Sequence, residues 1–209
     1  MGNKIYTIGR EFGSGGKEVG EKLAARLGIK LYDKELLQQA AKDSGFCEEI
    51  FENHDERPTN SFLYSLVMDT YSVSGYSSAP FLDMPLNHKV FLAQFDTIKK
   101  IAERESCVIV GRCADHILRN KEKCISIFIS ADKDSCAERV MQRTEGLNKS
   151  EAIALATKED KLRAEYYNFY TDKEWGTANS YDLCIDSSKL AEDKVIDILI
   201  NYIETRLKD

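Results

Sequence analysis

Short, predominantly apolar runs constrain the fold of this chain more than any other feature. Five of them predict buried strands, at residues 5–8, 29–32, 107–110, 125–129 and 181–185. Strands that are apolar throughout are typical of a parallel sheet covered by helices on both faces. The longer segments between them have helical periodicity, and this alternation predicts an open α/β sandwich. In such sheets, ligands bind beyond the carboxyl ends of the strands.

Apolar residues at intervals of three and four define the helical segments. Val19, Leu23 and Leu27 form one stripe, and Gly28 is predicted to end that helix. The clearest pattern lies near the end of the sequence, at Val195, Ile198, Leu199, Tyr202 and Ile203.

Length and charge narrow the class of protein. The 209 residues fit a single domain spanning residues 1–209. With 29 basic and 35 acidic residues, the net charge of −6 disfavours nucleic acid as a partner, although a local basic pocket can still bind a small anion. No apolar run approaches the roughly 20 residues that span a bilayer, and no secretory signal pattern is present. We therefore expect a cytoplasmic protein with no membrane partner.

The cysteine pattern predicts neither a metal site nor disulfides. The six cysteines show no CxxC spacing, and the three histidines do not complete a zinc pattern. Reduced, mostly structural thiols are expected in the cytoplasm. Cys107, Cys124 and Cys184 lie in or beside apolar runs and are predicted to be small core residues.

The most informative segment is the glycine-rich stretch GREFGSGGKE at residues 9–18, between the first predicted strand and the first helix. Its glycines allow successive backbone N–H groups to face one anion, and the helix N-terminus adds a favourable dipole. The predicted phosphate-binding set is Arg10, Gly13, Ser14, Gly15, Gly16, Lys17 and Glu18. The alternative is a glycine turn that brings the helix close to the strand, with Lys17 in solvent.

The loop departs from the phosphate-loop pattern G-x-x-x-x-G-K-[ST]. If Gly16 and Lys17 are the GK pair, Glu11 stands where the first glycine belongs. If the loop is aligned instead by the apolar stripe of the helix that follows it (Val19, Leu23 and Leu27), Gly16 falls at the lysine position and Lys17 comes one residue after it. Glu18 stands where a hydroxyl would help to ligate Mg²⁺; a carboxylate can also bind Mg²⁺, but it adds negative charge beside a triphosphate.

The order and spacing of several further segments resemble the cytidylate-kinase-like branch of the P-loop nucleoside monophosphate kinases. After residues 5–17 come LYDKE at 31–35, VIVGR at 108–112, IFI at 127–129 and a helix carrying Arg139 and Arg143. EDKLR at 159–163 and DLCID at 182–186 complete the series, which covers most of the chain. The resemblance implies a three-layer α/β/α sandwich with a five-stranded parallel sheet of the P-loop NTPase type.

The same resemblance implies an activity. It predicts ATP as phosphate donor on the glycine loop, Mg²⁺ as cofactor and a CMP-like nucleoside monophosphate as the small-molecule acceptor. A flap is expected at residues 57–88, which hold all three prolines and a predicted amphipathic helix at 62–68, and an arginine-bearing lid at residues 144–165. The alternatives are a kinase of another small acceptor and a non-catalytic nucleotide- or anion-binding regulator with a degenerate loop.

Two strand-end residues are candidates for binding the acceptor. By resemblance, Arg112 holds the acceptor phosphate, and the alternative is a surface arginine after a glycine turn. By the same resemblance, Asp33 faces the acceptor; its other candidate role is to cap the helix that follows it, and the two roles are compatible. Related kinases carry Asp-Gly-Arg-Asp at the third strand, whereas this chain has VGRC at 110–113, so both acids are missing. Asp115 is a candidate substitute, with a simple helix-start acid as the alternative.

Transfer between two phosphates requires alignment and charge neutralisation rather than a general base. The predicted catalytic residues are Lys17, Arg112, Arg139 and Arg163. Acidic residues are interleaved with the basic residues in these two helical segments. The alternative for Arg139 and Arg163 is therefore an ordinary position on a solvent-exposed helix face. We expect the cationic residues to converge on one cleft and most acids, including the five at residues 48–56, to lie elsewhere.

The aromatic run YYNFY at residues 166–170, followed by Trp175, is dense for a helix-to-loop segment. It predicts packing of a helix within its own domain or across a homo-oligomer interface. Stacking on a nucleotide base is the alternative.

Overall fold

The computed structural model describes residues 2–45, 47–57 and 85–207. In this part of the chain the strands are β1 Ile5–Arg10, β2 Lys30–Tyr32, β3 Cys107–Val110, β4 Cys124–Ser130 and β5 Leu183–Asp186. The α-helices are α1 Gly16–Leu27, α2 Lys34–Ser44, α3 Glu48–His54, α4 Leu86–Arg104, α5 Ala114–Ile117, α6 Lys133–Arg143, α7 Lys149–Tyr170 and α8 Glu192–Arg206, and a 3-10 turn spans Ala178–Ser180.

The strands form one parallel sheet in the order β2-β3-β1-β4-β5. This confirms the predicted five-stranded parallel sheet. β1 runs two residues beyond the predicted strand, because Gly9 and Arg10 continue the pairing with β4. The extension carries the Arg10 side chain to the carboxyl edge of the sheet, beside the glycine loop.

Successive strand residues belong to cores on opposite faces of the sheet. Ile5 of β1 packs in the cluster under α4, whereas Ile8 packs in the cluster against α1 and α8. In β3, Ile109 belongs to the cluster under α4 and Val110 to the cluster against α1 and α8. All four side chains are at most 1% exposed. Helices therefore cover both faces, and the predicted three-layer α/β/α sandwich is confirmed.

The two predicted insertions are only partly within the described residues. Most of the flap at 57–88, including the predicted helix at 62–68, lies outside them; its last three residues, 86–88, open α4. Of the lid at 144–165, residues 149–165 belong to α7, which packs on α6 through Ala137, Val140 and Ala152. None of the described helices is both long and apolar enough to cross a bilayer.

The aromatic run packs inside the domain. Tyr166, Tyr167 and Tyr170 are each at most 4% exposed and share a cluster with Phe91 of α4 and Phe128 of β4. The rings of Phe91 and Tyr170 stack with their centroids 3.9 Å apart. Packing within the domain is therefore confirmed as the role of these side chains.

The cysteines are free thiols in unequal surroundings. Cys107 is buried, Cys124 is partly buried and Cys184 is exposed. The prediction that all three are core residues is therefore wrong at Cys184, because β5 is an edge strand and this position faces solvent.

Candidate active site

The glycine loop joins β1 to α1 through backbone conformations that favour glycine. Gly13 and Gly15 both have a φ of 82°, in the left-handed region that costs other residues about 1 kcal/mol or more. At Gly13 space also excludes a side chain, because a Cβ there would lie 2.6 Å from the carbonyl oxygen of Cys136. The loop therefore lies against α6 through a contact that only glycine permits.

The N-terminus of α1 has no side-chain cap. Gly15 occupies the N-cap position. The nearby Ser14 Oγ donates to Glu11 O at 2.8 Å and accepts only a long bond from Gly16 N, at 3.3 Å. N–H groups in the first turn have no carbonyl partner within the helix, and the helix dipole favours an anion there. The loop thus presents the backbone donors that a phosphate group needs.

Arg10 extends from the end of β1 past the start of α1. Its Nη1 and Nη2 donate to Glu56 Oε1 and Oε2 at 2.7 and 2.8 Å, and both side chains are only 12% exposed. Burial lowers the pKa of Arg10, but Glu56 more than offsets this effect, so the pKa lies above its ordinary value. Glu56 has a φ of 48°, a strained conformation that concentrates at functional sites.

Arg112 is almost completely buried, with 2% side-chain exposure. Its Nε and Nη2 donate to Asp55 at 2.9 and 2.8 Å, and its Nη1 donates to Val110 O at 2.9 Å and Asp33 at 3.3 Å. Its backbone N–H donates to Glu56 at 2.9 Å. These bonds occupy four of the five guanidinium N–H donors, so an acceptor phosphate competes with Asp55 and Asp33 for Arg112.

A strained turn directs Arg112 into the cleft. Gly111, Arg112 and Cys113 have φ values of 74°, 55° and 55°, so three consecutive residues are left-handed and two of them carry side chains. Gly111 N donates to Ile8 O at 2.9 Å, which ties the turn to the end of β1. Such strain persists only where the surrounding structure holds it, and it concentrates at ligand sites.

Helix α7 contributes Arg163 and Asp160. Arg163 Nη1 donates to Arg10 O at 3.3 Å, and its Nε lies 3.5 Å from Glu56 Oε2. Asp160 Oδ1 accepts a bond from Phe12 N at 2.6 Å. Burial raises the pKa of Asp160 to about 6, although that N–H and Arg163 act in the opposite direction. The helix therefore contacts both the glycine loop and the Arg10–Glu56 pair.

Lys17 and Glu18 lie in the first turn of α1. Lys17 Nζ is 3.7 Å from Asp33 Oδ2 and 3.8 Å from Glu21 Oε1, with 48% of the side chain exposed. Glu18 Oε1 pairs with Arg143 Nη2 at 2.7 Å. Glu18 Oε2 is buried and has no hydrogen-bond partner among the described residues. Lys17 is thus a solvent-facing cation, and Glu18 retains one unused oxygen.

Arg139 supports the glycine loop from α6. Its Nη1 donates to Gly13 O at 3.1 Å and its Nη2 to Ser187 O at 3.2 Å. Ser187, just after β5, in turn donates through Oγ to Ser14 O at 2.7 Å. Arg143 is among the described residues that line the cleft, whereas Arg139 is not. In this structure Arg139 ties the loop to the end of β5.

Asp33 occupies the N-cap position of α2 but makes no capping bond through its side chain. Its Oδ1 faces Arg112 at 3.3 Å and its Oδ2 faces Lys17 at 3.7 Å. Its contacts therefore connect the two halves of the cleft rather than closing the end of a helix.

Most of these residues line one cleft of about 540 Å³ at the carboxyl edge of the sheet. Its described lining is balanced between seven basic and seven acidic side chains. The basic ones are Arg10, Lys17, Lys34, Arg57, Arg112, Arg143 and Arg163, and the acidic ones are Glu11, Glu18, Asp33, Glu52, Asp55, Glu56 and Glu159. The expectation that acids lie mainly elsewhere is wrong, because the chain leaving α3 places Asp55 and Glu56 directly on the arginines.

The two neighbouring acids differ in their electrostatics. Burial raises the pKa of Asp55 above its ordinary value, despite the opposing effect of Arg112. Burial acts in the same direction on Glu56, but Arg10, Arg163 and Arg112 together outweigh it and hold the pKa well below its usual range. Glu56 is therefore ionised at neutral pH and balances the charge of the buried arginines.

Sequence reasoning missed Asp55 and Glu56 as cleft residues and Asp160 as a partner of the glycine loop. Glu56 lies 46 residues from Arg10, and Asp160 lies 148 residues from Phe12. The acidic run at 48–56 was an available signal, but local pattern does not indicate which of its members meets a cation.

Asp115, the candidate substitute for the missing strand-end acids, lies with the aromatic cluster instead of the cleft. Its Oδ2 accepts a bond from Tyr167 Oη at 2.6 Å and lies 3.8 Å from Lys173 Nζ. Within residues 2–45, 47–57 and 85–207, no three His, Cys, Asp or Glu side chains are grouped to hold a metal ion.

A family model described as "Cytidylate kinase-like family" matches residues 5–189. Cytidylate kinase of Pyrococcus furiosus is 28% identical over 197 residues, which cover 93% of this chain and 85% of that protein.

Solved structures extend the comparison. An uncharacterized protein from Eubacterium ventriosum is 36% identical, with a TM-score of 0.72, over 97% of this chain and 99% of that chain. Shikimate kinase from Bacteroides thetaiotaomicron is 13% identical, with a TM-score of 0.55, over 99% of both chains, a likeness of fold alone. The fold is therefore that of the P-loop kinases. Since the family match spans the glycine loop, the strand ends and α7, the chain belongs to the cytidylate kinase-like family.

Proposed function

We propose that this protein transfers a phosphoryl group from ATP to a nucleoside monophosphate, with a CMP-like acceptor. The observation that carries the proposal is the convergence of Arg10, Arg112 and Arg163 beside the uncapped N-terminus of α1. Phosphoryl transfer depends on positioning and on neutralising charge. Buried guanidinium groups and oriented backbone N–H groups supply both requirements.

The donor half of the cleft is the glycine loop. Gly13 and Gly15 shape it, and Asp160 and Arg139 hold its backbone through Phe12 N and Gly13 O. The N–H groups in the first turn of α1 have no carbonyl partner within the helix. This arrangement fits the triphosphate of ATP. Lys17, at the solvent edge of the same turn, adds positive charge near the cleft mouth.

Among the acids that line the described cleft, Glu18 has a carboxylate oxygen available to Mg²⁺. Its Oε2 is buried without a hydrogen-bond partner among the described residues, and carboxylate oxygens are ligands that Mg²⁺ accepts. When bound, Mg²⁺ neutralises charge on the phosphate oxygens. Arg143 holds the other Glu18 oxygen at 2.7 Å and so fixes the orientation of the carboxylate.

The acceptor half contains Asp33 and Arg112 at the ends of β2 and β3. Arg112 presents a planar, permanently charged group suited to a phosphate monoester. Because the attacking atom of a nucleoside monophosphate is already an anionic oxygen, Asp33 is not needed as a base. We assign it to orienting Arg112 and Lys17, which it contacts.

Two alternatives each have an observation in their favour. A kinase of a hydroxyl-bearing acceptor is favoured by the acids Asp33 and Asp55, since a carboxylate can accept the hydroxyl proton. A non-catalytic anion-binding regulator is favoured by Arg112, whose donors are largely occupied by Asp55 and Val110 O.

A coupled assay that links ADP formation to NADH oxidation separates these functions. We expect turnover with ATP and Mg²⁺, highest with CMP among nucleoside monophosphates. Arg112→Ala is expected to lower kcat/KM on the order of 100-fold, while Arg119→Ala, an exposed arginine outside this cleft, serves as the matched control. Turnover with polyol acceptors but with no nucleotide would support the second kinase. ATP binding that is indifferent to Mg²⁺ and gives no turnover would support the regulator.

A further inference from the structure

Two positions of the glycine loop carry residue types that differ from those of the usual phosphate-loop pattern. Gly15 is the N-cap of α1 and Gly16 its first residue. With Gly15 as the second glycine of G-x-x-x-x-G-K, the first glycine position falls on Arg10 and the lysine position falls on Gly16. An arginine therefore stands where the pattern has glycine, and a glycine stands where it has lysine.

The structure places these two positions against each other. A Cβ built on Gly16 would overlap the Cβ of Arg10 and would lie 3.1 Å from its Cγ. The aliphatic part of Arg10 thus occupies the space into which a side chain at position 16 would start. Two long side chains cannot both begin there, so the glycine at 16 and the arginine at 10 depend on each other.

The far end of Arg10 is accommodated in the same way. A Cβ on Gly111 would overlap Arg10 Nη1, so the glycine at the end of β3 leaves room for the guanidinium group. The group is buried, and its pKa lies above the ordinary value despite burial. Lys17 differs in burial and in the closeness of its partners: 48% of its side chain is exposed, and its Nζ lies 3.7 Å or more from its acidic neighbours.

We infer that Arg10 supplies the loop with the positive charge that a lysine at position 16 supplies in the usual pattern, and that it binds the phosphate chain of the nucleoside triphosphate. This inference rests on the proposed function, since it names the residue that holds the donor. Glu56 accepts a hydrogen bond from each of the two terminal nitrogens of Arg10. Binding of a phosphate chain therefore exchanges one bidentate anion for another.

Calorimetry with ATP, and separately with inorganic tripolyphosphate, tests the inference on the full chain. Charge-assisted hydrogen bonds of this kind predict that Arg10→Gln weakens binding of both ligands by about 10- to 100-fold. Lys17→Gln is expected to weaken binding by a smaller factor, about threefold, because its charge is exposed. Arg26→Gln, at the far end of the same helix, is the matched control.

Arg10→Gln also removes one partner of a buried ion pair, so two further variants separate binding from folding. Arg10→Gln/Glu56→Gln removes both charges and is expected to show the same loss of binding. Arg10→Gly/Gly16→Lys restores the usual pattern and is expected to recover affinity to within about tenfold of the natural protein.

The outcomes separate this inference from the proposed function. If the natural chain binds neither ATP nor tripolyphosphate, the proposed function fails and the inference fails with it. If the natural chain binds but Arg10→Gln and its double variant bind equally well, or if Lys17→Gln causes the larger loss, the inference alone is overturned. Recovery of affinity in Arg10→Gly/Gly16→Lys supports it directly.

Discussion

Arg10 and Glu56 form a bidentate ion pair inside the cleft, with N–O distances of 2.7 and 2.8 Å. The same carboxylate accepts the backbone N–H of Arg112 and lies 3.5 Å from Arg163. One acid thus holds three of the cationic residues on which the proposed activity depends. A carboxylate in this position stabilises the buried arginines, and it competes with any phosphate that binds to the same donors.

This relationship predicts opposite effects of Glu56→Gln on stability and on binding. Loss of the charge leaves buried arginines without their anion, so we expect the free energy of unfolding to fall by about 1–3 kcal/mol. Affinity for ATP is expected to rise, because the competing anion is gone. Urea unfolding and calorimetry measure the two effects, with the exposed Glu49→Gln on α3 as control. Weaker ATP binding would mean that Glu56 organises the bound state and does not compete with the ligand.

Asp55→Asn tests the acceptor half of the cleft separately. Asp55 occupies Arg112 Nε and Nη2, so removal of its charge frees donors for an acceptor phosphate. We expect the KM for CMP to fall several-fold, which corresponds to about 1 kcal/mol of binding free energy. The KM for ATP is expected to change little. Asp43→Asn, an acid that pairs with Lys100 at the end of α2, is the control. An equal change in both KM values would contradict the assignment of Arg112 to the acceptor.

Gly13→Ala tests the fit of the loop against α6. The substitution combines an unfavourable φ of 82° with a Cβ 2.6 Å from Cys136 O, so a loss of about 2–4 kcal/mol in unfolding free energy is expected. Gly45→Ala isolates the cost of the left-handed backbone conformation, because Gly45 has a φ of 75° and nothing lies within 4 Å of the added Cβ. Equal losses in the two variants would show that the loop yields to the extra methyl group.

Asp160 gives a pH-dependent prediction. Its pKa is raised by burial to about 6 in the folded chain, above the ordinary value for an aspartic acid. The neutral form is therefore favoured by folding, and this contribution to stability is complete below about pH 4 and lost as pH rises through 6. Asp160→Asn keeps an oxygen that can accept the Phe12 N–H but has no charge to desolvate.

We therefore expect Asp160→Asn to be more stable than the natural chain by about 1–3 kcal/mol at pH 8 and to lose this advantage as pH approaches 4. Urea unfolding of both proteins at pH 4.5, 6 and 8 measures the difference. An advantage that does not vary with pH would rule out titration of Asp160 as its source.

Tyr167→Phe tests the assignment of the aromatic run to packing. The substitution keeps the ring but removes the donor to Asp115, a bond of 2.6 Å. Leaving a buried carboxyl with fewer partners is expected to cost about 1–3 kcal/mol of stability, with kcat/KM unchanged below the unfolding transition. Reduced turnover with normal stability would instead favour contact between this segment and the substrate.

Much of the fold could be predicted from the chain itself. β3 spans 107–110 as predicted, and Gly28 ends α1 through N–H bonds to Ala24 O and Ala25 O. Both outcomes follow from local properties, namely an apolar run and the freedom of glycine to adopt a left-handed turn. The position of the glycine loop at the sheet edge followed from its place between a strand and a helix.

The contacts of the candidate site could be predicted only in part. Arg10, Arg112 and Arg163 were identified by type and order, but their partners Asp55 and Glu56 were not. Arg139 has the spacing of a residue on the cleft side of α6, yet it bonds to Gly13 O and Ser187 O. Side-chain partners depend on how segments that are distant in the sequence pack together. The local spacing of apolar residues carries no information about that packing.

The amino-acid sequence by itself therefore determined the strands, the loop between β1 and α1, and the supply of cationic residues at the strand ends. These features depend on backbone preferences and on apolar periodicity, which act over a few residues. Only the tertiary structure decided that Arg10 passes over Gly16 and that Glu56 meets three arginines. The first relationship depends on the three-dimensional path of the glycine loop. The second arises because packing of the sheet with α3 and α7 brings together residues 46 or more positions apart, and burial makes each charge require a partner.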